Sequence, residues 1–355
     1  MVAPIGAQVA PLEEGVIAAK FGVYEDRQPG LTRVRAISPS LYIASPIASS
    51  WSFEGSLTHD NVSGASPRWH SSISSASRMA DHRTAATAKL TKSFERVAVA
   101  LGGAYSDEQD YRSRAGSLEL RIASADNNRT WSIAFAHTDD NIFPTNRAAR
   151  GATRRTNELG LSVTQNWTKH DVVQLAISRA EGRGYYNDPY KIVDIRPRER
   201  DQTTATLRWN HFIASSGDAL RTSYRFYSDS FGIRAHTLDA AYAKALNDRW
   251  IVTPTLRYHT QSAANFYYDP VYDPVVGEPF PVVLGRFASP DHRLSAFGAV
   301  TVGVRADWKL DSRWTLDAKL ERYEQRSSWR LGGGGSPGLA PLTALIAQIG
   351  FTRTF

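Results

Sequence analysis

The chain has 355 residues, 42% of them hydrophobic and 22% charged, with a formal net charge of +7 and no cysteine. The lack of cysteine excludes disulfides, iron–sulfur clusters, thiolate-held zinc and cysteine nucleophiles. No apolar run approaches the roughly 18 to 20 residues a membrane-spanning helix needs, and Lys and Arg are spread along the chain without a basic block, which argues against nucleic acid as a partner.

The first segment, MVAPIGAQVAPLEEG, has no basic stretch followed by an apolar core. It reads as the start of a mature chain whose export signal has been removed, with Met1 added for expression. Residues 1–13 are expected to form a periplasmic tail and 14–355 a single barrel domain. From there, period-2 alternation recurs to the end. Its phase is unclear in the second segment, 32–45, where Pro39 and Pro46 interrupt it. Further on it is strict: Trp131, Ile133 and Phe135 share one face, as do Leu159, Leu161 and Val163, and then Val173, Leu175 and Ile177. Such alternation predicts half-buried strands.

The breaks between segments alternate in length. Seven are short (ASS before Trp51, SFER, DNNR, TKH, SSGD, NDR and DSR), and five are long, near 61–83, 140–153, 182–200, 262–291 and 327–338. Three more on the long side are shorter, around 25–30, 107–111 and 228–232. Seven short and eight long-side connections join sixteen strands. The expected fold is all-β: a transmembrane antiparallel up-and-down β-barrel with short periplasmic turns and longer extracellular loops. Trp51, Trp131, Trp167, Trp209, Trp250, Trp308 and Trp314 lie near short turns, whereas Tyr105, Tyr111, Tyr185, Tyr186, Tyr190, Tyr267, Tyr268 and Tyr272 crowd the long-loop side. Two aromatic belts at opposite strand ends are what interfacial anchoring requires.

The final strand, LTALIAQIGFTRTF, ends in Phe355. It resembles the C-terminal signal of bacterial outer-membrane proteins, which the barrel-insertion machinery reads; Arg353 stands where an aromatic is usual. These features place the chain in the outer membrane of a Gram-negative bacterium, in contact with lipid and lipopolysaccharide.

If the aliphatic phase meets lipid, the opposite phase lines the lumen. It carries Glu119, Arg121, Arg208, Arg221, Arg225, Asp239, Arg257, Arg305, Asp307, Asp317, Lys319 and Glu321. An Arg or Lys on the lipid face near mid-membrane costs about 2 to 4 kcal/mol, so the lumen is the tolerable place for these charges. Arg208, Arg221, Arg225 and Arg257 suit an anion-attracting wall; a ladder of cross-strand ion pairs, for example Arg225 with Asp239, is the competing reading. Sixteen strands enclose an aqueous channel unless something fills it. The tail is too short for a folded plug, so a constriction would come from the tail, from an inward-folding loop (61–83 or 262–291), or from another protein.

The stretch 59–83 gathers His59, Asp60, His70, Asp81 and His82, side chains able to hold a divalent cation, but their spacing is irregular and no helical His-x-x-x-His face preorganises them. A loop-fixing role for Asp60, Asp81 and Arg83, with Ser63, Gly64 and Pro67 setting a turn, is the simpler expectation. A second Asp-His-Arg at 291–293 favours a structural role for both copies. Tyr267, Tyr268, Asp269, Pro270, Tyr272, Asp273 and Pro274 could stack sugars or grip a cation, or be ordinary belt and turn chemistry. Gly332 to Gly335 reads as a flexible hairpin tip, not a phosphate loop. No Gly-x-Ser-x-Gly is present, and His137 with Asp139 and Asp140 matches the pairs of rim proteases only loosely. Neither enzyme activity nor a cofactor is expected.

The segment Tyr24–Arg27 (YEDR), a strand running to Trp51, and then HDNVSGASP with Val62 to Pro67 resemble an uncharacterised family of proteobacterial and bacteroidete outer-membrane proteins with porin-like architecture. The resemblance implies genes near thioredoxin-like proteins, small lipoproteins and flavin-attaching enzymes. By implication the barrel would be a conduit, or a housing for a small lipoprotein or periplasmic protein, in envelope redox or metal handling. Two functions are therefore expected as alternatives: a channel for small, perhaps anionic, solutes, or a non-conducting scaffold around a partner.

Overall fold

The computed structural model describes residues 9–67, 76–149, 151–191, 193–270 and 285–355. Sixteen antiparallel strands form one closed barrel: β1 Val16–Gln28, β2 Leu31–Ala48, β3 Trp51–Pro67, β4 Ala76–Ser93, β5 Val97–Asp107, β6 Tyr111–Ala123, β7 Arg129–Ile142, β8 Ala152–Asn166, β9 Asp171–Gly184, β10 Glu199–Ile213, β11 Asp218–Asp229, β12 Arg234–Ala245, β13 Trp250–Gln261, β14 Phe297–Lys309, β15 Trp314–Arg326 and β16 Leu342–Thr354. Each strand pairs with its chain neighbours, and β1 pairs with β16 from Val16↔Thr354 to Arg27↔Thr343. Among the described residues no helix is long and apolar enough to cross a membrane.

Closure removes the exposed edge that a strand would otherwise offer to another chain. Its last link is at the termini: Gly15 and Phe355 exchange backbone hydrogen bonds of 2.7 and 2.8 Å. The ring of Phe355 occupies the space a side chain at Gly15 would need.

The two faces follow the alternation. Leu101, Phe135, Leu161, Ile177, Leu238, Val302 and Ile349 are exposed on the outside, where only lipid can make that exposure favourable. In β2 the exposed Leu41 fixes the phase that the prolines obscured, with register shifts after Asp26 and before Ala48 absorbing the irregularity. The seven tryptophans from Trp51 to Trp314 named above sit at the short-turn rim, where Trp250 stacks on Trp308 at 5.3 Å and Trp314 meets Phe351 at 4.7 Å, whereas Trp329 lies in the β15–β16 loop.

One expectation needs correction. The break at 61–83 is mostly strand: β3 and β4 pair continuously from Trp51↔Lys92 to Pro67↔Ala76. Ser63, Gly64 and Pro67 therefore lie in β3 and set no turn. Beyond the lipid boundary neither face of a hairpin must be apolar, so the alternation that marks strands elsewhere is missing there.

Candidate lumen site and its cover

All twelve charged residues expected in the lumen lie on the face opposite the exposed aliphatic one. Most are paired: Arg121 with Glu119 at 3.3 Å, Lys319 with Glu321 at 2.8 Å, and Arg305 with Asp307 at 2.5 Å and Asp317 at 3.7 Å. Asp317 is buried against Gly350, whose missing side chain leaves it room. Further pairs complete the wall, among them Lys89 with Glu54 at 2.7 Å and Arg154 with Asp140 at 2.7 Å.

The arginines of β10 and β11 differ. Arg208 stands opposite Ser223, Arg221 opposite Asn210 and Arg225 opposite Thr206. Arg221 and Arg225 thus flank Arg208 diagonally, at about 7 to 8 Å between Cα atoms. Arg208 donates to Gln174 at 2.7 Å, a neutral acceptor, and Arg221 and Arg225 have no hydrogen bond or ion pair among the described residues. The nearby acid, Asp239, is directly opposite Arg257 and bonded to it, and Ser223 donates to it at 3.2 Å. The expected Arg225–Asp239 pair does not form, because the register gives Asp239 to Arg257. Four cations and one anion therefore share this patch. Beside it, Glu119 and small and hydroxyl-bearing residues, including Ser132, Ser162, Ser178, Thr204 and Thr206, line a recess of about 180 Å³.

The loops at the long-loop end fold together over the lumen. Phe231, Ile233, Ala264 and Leu294 form a buried cluster, with Tyr186, Tyr227, Phe266 and Tyr267 packed on it. Tyr186 lies over Gly182 on the inner face of β9, which is possible only because residue 182 has no side chain, and Arg154 stacks on its ring at 5.3 Å. The β9–β10 and β13–β14 loops are joined by a two-way backbone bridge, Ile195 with Ala288, and by buried ion pairs. Arg196 donates to Asp194 at 2.6 and 2.7 Å and to Asp291 at 2.8 Å; Ser289 donates to Asp194 at 2.7 Å; Arg293 bridges Asp291 and Asp188. The β15–β16 loop joins through Ser336 and Ala296, which exchange two hydrogen bonds of 2.9 Å.

This arrangement sets the protonation states. Burial alone would raise the pKa of Asp291, but Arg293 overcomes it and holds the carboxyl well below the usual carboxylate range. Burial pushes His292 down to about 3, aided by Arg33, Arg293 and Lys191 and opposed by Asp291. Burial likewise raises the phenol of Tyr267, which donates to Asp269 at 2.7 Å.

At the opposite mouth, Val9 packs inside the wall against Ala98 and Ala123. Val9 thus lies against the inner wall at the short-turn end.

The residues of 59–83 divide between the two faces of the sheet. Asp60 and Arg83, directly opposed, form a 2.9 Å ion pair on the inner face. His59 and His82 lie on the outer face with ring centroids 6.3 Å apart, and His59 bonds Thr84 at 3.0 Å. A strand directs neighbours such as His59 and Asp60 to opposite sides, so these two cannot share one ion. Asp81 pairs in register with Val62; His70, Tyr272, Asp273 and Pro274 lie outside the described residues. His137 bonds Asp139 at 3.0 Å on the outer face, whereas Asp140 is inside with Arg154. Of the loop network, Asp291 belonged to a motif visible in the sequence, but Asp194 and Arg196 carried no signal: their loop has no periodicity, and their partner is far along the chain.

No curated protein matches the chain by sequence. Among solved structures it is similar to CdiB from Acinetobacter baumannii, with 10% identity, a TM-score of 0.54, and coverage of 94% of this chain but only 60% of that one. Also similar are a loop-deletion mutant of OmpT, an outer membrane protein of Vibrio cholerae (8% identity, TM-score 0.45, 96% and 99% covered), and a Pseudomonas aeruginosa FadL homologue (11%, 0.45, 96% and 90%). At these identities the likeness extends to the fold of outer-membrane β-barrels. A family model described as "Protein of unknown function (DUF3570)" matches residues 74–150 and 143–348. The match starts after Val62–Pro67, so it rests on the rest of the barrel, and the chain belongs to the DUF3570 family.

Proposed function

We propose that this protein is an outer-membrane channel of a Gram-negative bacterium that admits small anionic solutes, its long loops facing outward. The observation that carries this reading is the set Arg208, Arg221 and Arg225, three adjacent inward cations without an acidic partner among the described residues. Elsewhere on the wall most cations have a neighbouring acid, as Lys89, Arg121, Arg154, Arg305 and Lys319 do, whereas Lys20 on β1 stands alone without an ion pair among the described residues. An uncompensated cluster beside a low-dielectric wall concentrates anions. The recess next to it offers hydroxyl donors for a hydrated or hydroxylated anion, and its one carboxylate, Glu119, is paired with Arg121. The test is the reversal potential of the purified protein in a planar bilayer under a salt gradient. Anion preference that falls when Arg208, Arg221 and Arg225 are changed to Gln supports the reading; cation preference untouched by the changes removes it.

The scaffold alternative draws support from the joined loops at one mouth. It requires electrical silence together with a lipoprotein or other partner retained after gentle solubilisation.

A further inference from the structure

The outer surface of the barrel is lopsided. On β14 the outward positions stay apolar or small from Trp308 through Ala306, Val304, Val302 and Val300 to Gly298. On β7 they run only Trp131, Ile133, Phe135 before His137, on β8 Val163, Leu161, Leu159 before Asn157, and on β9 Val173, Leu175, Ile177 before Arg179. At about 3.4 Å per residue and a tilt of about 40°, the band is about 26 Å tall on β14 but about 10 Å on β7, against the usual girdle of about 25 Å.

Above the short band lies a charged patch spanning β5 to β10. Arg155 bonds Asp139 at 2.9 Å, Arg179 bonds Glu181 and Asp201 at 3.1 Å each, and Arg112 bonds Asp107 at 2.6 Å. Arg114, opposite Tyr105 and Asp139 in the register, has no ion pair among the described residues. Arg155 is 76% exposed and Arg183, whose contact with Glu199 is a loose 3.8 Å, is 79% exposed. At the same rise, Arg114, Arg155 and Arg179 stand about 16 to 21 Å above the lowest apolar residue of their strands, towards the outer edge of a band of about 25 Å, where the cost of an immersed charge falls to about 0 to 1 kcal/mol. These guanidinium groups therefore stand at the level of the outer headgroups.

We infer that the outward face of β6–β9 seats phosphorylated glycolipid headgroups, those of lipopolysaccharide, at the outer boundary of the membrane. This rests on the outer-membrane placement proposed above. Arginine forks match phosphate oxygens bidentately. Arg114 has no acid of its own among the described residues, whereas Arg112, Arg155, Arg179 and Arg183 share Asp107, Asp139, Glu181, Asp201 and Glu199, so a phosphate must displace those carboxylates from the other four. The arginines stand on β6, β8 and β9, a face about 14 Å across, which spaces them for more than one phosphate of a single headgroup.

The test is native mass spectrometry of the purified full chain in detergent, with diphosphorylated lipid A and, separately, its dephosphorylated form. The expected result is that the phosphorylated lipid is retained about fivefold better, that the combined Arg114→Gln, Arg155→Gln and Arg179→Gln variant loses this preference, and that Arg322→Gln, on the outward face of β15, keeps it. Equal retention of the two lipids by the unaltered protein overturns the inference and requires no variant to fold. So does a preference that survives the triple change, or a dimer of the chain that the triple change dissolves, since the face would then meet a second copy. The reversal potential is measured on the same samples; it should not move with the triple variant, so failure here and failure of the channel reading are distinguishable.

Discussion

Arg196 and Asp291 meet at 2.8 Å although 95 residues separate them, and each is nearly removed from solvent. Their pairing ties the β9–β10 loop to the β13–β14 loop across the mouth of the barrel. A buried pair of this kind adds little net stability when complete, but losing one partner leaves an uncompensated charge.

Asp291→Asn is therefore expected to release the loops while leaving the barrel folded. Removing the carboxylate takes one partner from both Arg196 and Arg293, leaving Arg196 with Asp194 and Arg293 with Asp188, at a cost of about 1.5 to 3 kcal/mol for a lost charged hydrogen bond, which the barrel ladders do not share. Hydrogen exchange should accelerate at Ile195 and from Ala288 to Ala296, with β1 to β16 unchanged; slow exchange at those amides would contradict it.

Acidification should loosen the same loops. His292 has its pKa lowered to about 3 from an ordinary 6.5, so the folded loop binds fewer protons than the open one in that interval. Stability is then complete above about pH 6.5 and declines as pH falls towards 3. Asp291, also lowered, contributes in the same direction below its ordinary 3.8. The charged groups facing His292 are Asp291, Arg293, Lys191 and Arg33, and the arginines and the lysine keep their charge across this range. Limited proteolysis within 285–296 should therefore speed up at pH 5 relative to pH 7.5 when judged against a control substrate; His292→Gln should flatten the difference.

Asp239→Asn should strengthen anion preference. It removes the one acid held by Arg257 and leaves four arginines uncompensated. Arg225→Gln, which breaks no ion pair, should shift the reversal potential the opposite way. If both substitutions move it in the same direction, the patch does not govern selectivity.

Gly182→Val should dislodge Tyr186 without harming β9. Valine suits a strand, but its side chain would collide with the Tyr186 hydroxyl. The expected loss is the stacking of Arg154 on Tyr186, worth about 0.5 to 2 kcal/mol, together with the edge contact of Tyr186 on Phe231. Faster exchange of amides 185–191 in the variant, with β9 and β10 protected, is the outcome to measure.

The alternation of Trp131, Ile133 and Phe135 against their polar neighbours, the alternating short and long breaks, and the tryptophan rim were enough to determine a sixteen-strand barrel and the inward direction of its charges. That is because lipid enforces a period of two wherever it touches a strand. The same rule fell silent at 61–83, where β3 and β4 rise beyond lipid and a hairpin reads as a loop. Register decided the rest. It set Asp239 against Arg257 and left Arg225 free, and it divided His59 from Asp60. The joining of Asp194, Arg196 and Asp291 needed the closed barrel as well, for only a circle of strands brings loops so distant in the chain over one mouth.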